Sequence, residues 1–222
     1  MEYYNFSITE NGLHIEGFPD AVKCALIDHP LARRASDLAL HKMDLETAKG
    51  FLEAINDPFS NPRLIQTALW CSAIVHYFKC FGDSGARFQL SAKAIYKNEP
   101  VVALEVFDFF KGLRNKHYVH DENSYMQSIP SAVINGKEKP YKIEKIICLS
   151  TRAEVLSQEN YSNLTLLINK AREWVVAEFD TCCTLLTIEL EKLSHEELIN
   201  LPNAAYKAPT IEDIPKNRRP KP

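Results

Sequence analysis

Val102-Ala103-Leu104-Glu105-Val106-Phe107-Asp108-Phe109-Phe110-Lys111-Gly112-Leu113 runs without a break into Arg114-Asn115-Lys116-His117-Tyr118-Val119-His120, and the reading of this stretch decides the fold. Val102, Val106, Phe109 and Leu113 recur at i, i+4, i+7 and i+11, which stacks them on one side of a helix begun by Asn98 and Pro100. A strand would need period two instead. At about 100° per residue His120 continues this stripe, His117 lies about 60° away from it and Arg114 sits at its flank. The sequence therefore predicts a core helix ending in a polar cluster of an arginine, an amide and two histidines.

Those residue types suit phosphodiester chemistry. A guanidinium grips phosphate oxygens through a planar fork, and an imidazole transfers protons near neutral pH. Arg114, polar Asn115 and then His120 resemble the signature of the HEPN superfamily, an Arg often followed by a polar residue and, after four to six positions, a His. The resemblance covers a helical core of about half the chain. It implies an antiparallel bundle of four or five helices that dimerises so that two motif copies face one cleft, and metal-independent RNA cleavage in active members. Carried onto this sequence, it assigns His120 to proton transfer and Arg114 to the phosphate, with Asn115, Lys116 and His117 as auxiliary or RNA-binding residues. The setting it implies is a toxin or defence effector with RNA as substrate, a homodimeric state and a protein partner such as an antitoxin. No cofactor and no metal is expected. Arg114 and His120 lie about 120° apart on an ideal helix, so either the helix end distorts or a second copy completes the site.

Other readings of the same residues are weaker. Cations at a helix C-terminus offset the unpaired carbonyls, which alone would account for Lys111, Arg114, Lys116 and His117. His117 and His120 with Asp121 form a short metal-ligand spacing, but catalytic zinc needs about three protein ligands, and His14, His29, His41, His76 and His195 show no such spacing with Cys or carboxylates. Cys182 and Cys183 fall among apolar neighbours with no nearby base. No glycine-rich phosphate loop is present, and Gly82 to Gly85 reads as a helix stop and turn. Trp70 and Trp174 read as core residues. The alternative function is a non-catalytic helical adaptor that recognises RNA, a nucleotide or a protein partner.

The rest of the chain supplies a mainly α frame with two β-hairpin additions. Phe6-Ser7-Ile8 and Leu13-His14-Ile15 alternate around Asn11-Gly12, predicting a hairpin near 4–16. A helical pattern from about Pro19 to Ile55 is clearest at Leu45, Ala48, Leu52 and Ile55 after Asp44, a candidate N-cap, and stops at Asn56-Asp57-Pro58. A second helix runs from an Asn61 cap and Pro62 through Ile65, Leu69, Ala73 and Phe78 to Gly82, and a short helical piece covers Leu90 to Tyr96. Beyond the motif, Asn135-Gly136 with Tyr141, Ile143 and Ile147 predicts a second hairpin at 131–150. A long helix from about Asn163 to Leu193 aligns Leu164, Ile168, Ala171, Val175, Cys182, Leu186 and Leu193, and Ser194 to Asn200 form a short last one. Residues 1–205 thus make a single helical domain, and 206–222 a flexible Pro-rich basic tail, with four prolines from Pro209 to Pro222 and the Lys216-Asn217-Arg218-Arg219 cluster.

Bulk properties narrow the function. With 222 residues, 45% hydrophobic and 25% charged, the chain can bury a real core. A net charge of −3 argues against a protein that coats nucleic acid non-specifically, so any such contact must be local. No signal-like start and no apolar run of about 20 residues is present, which predicts a cytoplasmic protein without a membrane partner. The six cysteines lack a CxxC pair and read as reduced, mostly buried side chains, and the Asn5, Asn160 and Asn163 glycosylation patterns then have no consequence.

Overall fold

A computed structural model describes residues 5–9, 12–56, 62–83, 85–120 and 122–216. The proposed turn residue Asn11, the Asp57-Pro58 stop, the Asn61 cap, Asp121 and the Asn217-Arg218-Arg219 part of the basic cluster lie outside them. The described chain is mainly α with two antiparallel two-stranded hairpins. Its order is β1 (Phe6–Thr9), β2 (Gly12–Ile15), α1 (Pro30–Ile55), α2 (Arg63–Lys79), α3 (Ala92–Ile95), α4 (Val102–Leu113), a π-helical turn (Arg114–Val119), β3 (Met126–Ile134), β4 (Ile143–Arg152), α5 (Gln158–Leu190), α6 (His195–Asn200) and a 3₁₀ turn (Ile211–Asp213). No described helix is long and apolar enough to cross a membrane.

Contacts divide the chain into two compact units, one of residues 1–46, 80–91 and 170–222, the other of 47–79 and 92–169. In the first, α1 contributes Ala35, Leu38 and Leu45, and α5 contributes Ala171, Val175, Cys182 and Leu186, all buried. The predicted helix from Pro19 starts only at Pro30. The preceding segment is tied down elsewhere, with Ala25 bridging Asn203 and the Lys23 ammonium donating to the carbonyls of Ile199 and Leu201. His29 caps the helix, its Nδ1 accepting from the Leu31 amide at 3.1 Å, and Pro30 needs no donor there. Asp44 is consequently not a cap. It lies inside α1 with Asp37 and His41, and these three polar residues are buried against the segment 87–88. Arg87 pairs with Asp44 at 2.6 Å, the Phe88 amide donates to Asp37, and the Phe88 carbonyl accepts from His41 Nε2 at 2.9 Å. Burial, with the Arg87 charge beside it, lowers the His41 pKa to about 4. Helical spacing read from the apolar positions alone concealed this network. The region expected to be a tail includes the 3₁₀ turn, whose entry Thr210 and Asp213 cap reciprocally, as Ser194 and Glu197 do for α6.

The second unit is built on aromatic packing. Trp70, Ala73, Ile74, Tyr77 and Phe78 of α2 are buried, as are Phe107, Phe110 and Leu113 of α4 and Leu164, Leu167 and Ile168 of α5. Trp70 meets Phe110 edge-on at 5.9 Å, and Tyr77 shares a hydrogen bond with Tyr96, whose hydroxyl donates to the Leu167 carbonyl. Trp70 is core as expected, while Trp174 is only half-buried. The α2 stripe differs from the predicted one, since Ile65 is exposed and Leu69 half-buried; the bulkier Trp70 and Tyr77 take the inner face. On α4 the correction matters more. Val102 is 55% exposed and Phe109 39%, so the core face is Phe107-Phe110-Leu113, about one residue round from the predicted stripe. Glu105, Asp108 and Lys111, at i, i+3 and i+6, mark the outward side of this helix and put Phe110 nearly opposite, a signal that the apolar spacing taken alone does not use. The second hairpin is longer than predicted, with β3 and β4 paired from Met126↔Arg152 to Ile134↔Ile143 and a register shift at Val133/Ile134. The predicted helix 90–96 shrinks to α3, and α5 starts five residues before Asn163.

Candidate functional site

With Phe110 at the centre of the buried face, two helical turns further on bring the chain to His117, not to His120. The α-helix opens at Arg114 into the π turn Arg114–Val119, and the Lys116 carbonyl accepts from the Glu122 amide at 2.9 Å. Such wide turns are rare and concentrate at functional sites. His117 is only 9% exposed, its ring 4.9 Å from that of Tyr118 and 5.5 Å from that of Tyr125. His120 lies past the helix in extended conformation and is exposed. The helical projection that put His120 on the core stripe stops applying where the helix does. This reverses the two histidines: the auxiliary one is inside, and the proposed proton-transfer one is outside.

Two adjoining clefts of the same unit meet at this turn. One, of about 350 Å³, lies between the start of α2 and the segment after β4; the other, of about 310 Å³, lies further along α2. His117, Tyr118 and Arg152 line both. Arg63, Thr67 and the buried Trp70 enter the first with Glu154, whereas Cys71, Ser72 and His76 enter the second. Arg114 and His120 line neither. Arg114 is half-buried, its Nη1 donating to Asn115 Oδ1 at 2.8 Å while its Nε is buried with no hydrogen-bond partner among the described residues. Asn115 is thus occupied in holding Arg114, and Lys116 is exposed. Of the five predicted site residues only His117 lines the clefts, while Arg114 and Asn115 bind each other outside them.

The electrostatics of the clefts are cationic and otherwise quiet. Burial raises the pKa of Tyr118, helped by the neighbouring Cys71, so its phenol stays protonated. Burial likewise raises the Cys71 thiol, which therefore does not act as a thiolate nucleophile near neutral pH. Arg63 is matched by Glu154 at 2.5 Å. Arg152, the last residue of β4, makes no ion pair among the described residues. What the arrangement can do chemically is hold one anion beside two imidazoles. No group of three His, Cys, Asp or Glu side chains that could hold a metal ion exists among the described residues.

The sequence reading missed Arg152 and His76. Arg63, Thr67 and Cys71 repeat at i, i+4 and i+8 along α2, a polar line beside its aromatic face that would have marked the wall of a cleft. Nothing in the sequence joined that line to the end of β4. No family model, no curated protein and no solved structure matches the chain.

Proposed function

We propose that this chain acts on RNA as a HEPN-like protein that cleaves phosphodiester bonds without a metal, and that its chemistry belongs to His117 rather than to His120. The observation that carries this reading is the convergence of His117, His76 and Arg152, which has no ion pair among the described residues, on one cleft beside the π turn. RNA brings its own nucleophile. One imidazole removes the 2′-hydroxyl proton, the 2′-oxygen attacks phosphorus, the bond to the 5′-oxygen breaks, and the second imidazole returns a proton to that oxygen. Arg152 holds the phosphate and offsets the charge of the crowded phosphorane, the task first assigned to Arg114. The HEPN-like antiparallel bundle is part of this proposal, as is the homodimer. Val101, Val102 and Phe109 leave an exposed apolar strip on α4 that a second copy would cover.

The test is cleavage of mixed RNA in excess chelator by the parent, His117→Ala and His120→Ala. Activity that survives chelation and falls by about 10²-fold or more only in His117→Ala is the expected result. Loss confined to His120→Ala would return the site to the exposed end of the motif, and a parent inactive on RNA would leave a helical binding module.

A further inference from the structure

The shared wall of the two clefts says what length of substrate fits, and this step rests on the proposed action on RNA. Each cleft, at about 350 and 310 Å³, is of a size to take one nucleoside, not a strand. Because His117, Tyr118 and Arg152 belong to both, whatever fills the two clefts together must place its connecting group against these three residues. The only strongly charged group there without an ion pair among the described residues is the Arg152 guanidinium, so the connecting group is an anion. The flanking walls differ. Leu64, Trp70, Val155 and Leu156 make the first cleft mainly apolar, and Thr67 and Glu154 add polar groups to its lining. Ser72 and His76 make the second polar, suited to a sugar.

We infer that the twin clefts are consecutive nucleotide subsites for single-stranded RNA, a base entering the Trp70 cleft, the linking phosphate resting on Arg152 and His117, and the adjoining ribose facing His76. A duplex cannot use them, because a paired and stacked base cannot leave its helix to enter a cleft this narrow without unpairing. The cationic Arg63 at the mouth is already matched by Glu154, so recognition concentrates on one phosphate rather than a backbone track. This agrees with the mildly acidic chain.

The experiment uses 2′-fluoro RNA, which has no 2′-hydroxyl and is not cleaved by this route, as a single strand and as the matched duplex. Binding is read by the fluorescence of Trp70 in a Trp174→Phe background, which leaves Trp70 as the one tryptophan. The single strand should quench Trp70 and bind at least about tenfold tighter than the duplex. Arg152→Ala should weaken it by about tenfold or more and flatten the salt dependence by about one phosphate contact, while Arg152→Lys restores part of the loss. Equal binding of strand and duplex, no binding, or an Arg152→Ala protein that binds like the parent would each overturn the inference. If the strand binds through Arg152 while natural RNA is never cut, the catalytic reading falls and the subsites stand. If RNA is cut and Arg152→Ala changes neither binding nor cutting, the subsites fall and the catalytic reading stands.

Discussion

Acidification should destabilise this protein through His41. In the folded chain His41 Nε2 bonds to the Phe88 carbonyl, which fixes the neutral ring, and its Nδ1 is buried with no hydrogen-bond partner among the described residues. Adding a proton places an N–H where no acceptor waits, close to the Arg87 charge, and the Asp37 and Asp44 carboxylates offset this only in part. The pKa accordingly falls from 6.5 to about 4. A group whose folded pKa is depressed binds more protons when unfolded across that window, so stability is full above the unfolded pKa and is lost as pH falls toward the folded one. At ~1.36 kcal/mol per pH unit, the loss between about pH 7.5 and about pH 4.5 is about 2.5 kcal/mol. Urea denaturation at the two pH values measures it, with His41→Gln as control, since an amide keeps a donor for the Phe88 carbonyl but does not titrate. The control should start less stable and lose about 2.5 kcal/mol less on acidification. Equal losses in parent and control would refute the argument, as would a parent more stable at the lower pH.

Four other outcomes follow from the same structure. In the chelator assay His117→Ala should cost about 10²–10⁴-fold in cleavage and His120→Ala little, since only His117 lines the clefts. Phe110→Ala, at a fully buried side chain packed on Trp70, should lower unfolding stability by about 3–5 kcal/mol in a denaturant titration; a loss below about 1 kcal/mol would mean the aromatic core is not as described. Light scattering should give about twice the 25.3 kDa chain mass, and Phe109→Lys should halve it by charging the exposed apolar strip. Alkylation at neutral pH should reach exposed Cys148 well before Cys71, whose thiol burial keeps protonated; the reverse order would contradict that burial.

Existence and type of the long elements were legible because punctuation and period agreed. Leu45, Ala48, Leu52 and Ile55 are all buried as their spacing required, as are Leu164, Ile168, Ala171, Val175, Cys182 and Leu186 on α5. The short last helix expected at Ser194 to Asn200 is α6, entered through the reciprocal cap of Ser194 and Glu197. Boundaries failed where a distant segment competed for the chain. Residues 20–28 have nothing that forbids a helix, yet the Ala25–Asn203 bridge and the Lys23 bonds hold part of them extended, and neither partner is near in sequence. Asp44 looked like a cap for the same reason, because its true partner Arg87 lies 43 residues away.

The misplaced site has two origins, the stripe chosen on α4 and the end of the helix before His120. On an amphipathic helix the polar residues show which side is out, and on α4 Glu105, Asp108 and Lys111 gather opposite Phe110, but a stripe chosen from apolar spacing alone does not use them. Choosing Val102-Val106-Phe109-Leu113 over Phe107-Phe110-Leu113 is an error of about one residue, and it is carried along α4 to the π turn that opens the motif. There it exchanges His117 for His120. Aromatic volume decides the choice, since Phe107 and Phe110 fill the space beside Tyr77 and Trp70 that a valine would leave open. The position of one phenylalanine ring therefore fixes which histidine faces the clefts. Phe110→Ala should for that reason impair RNA binding at temperatures where the chain is still folded, an effect that thermal stability alone does not produce. Unchanged binding in a folded Phe110→Ala protein would separate the aromatic core from the site.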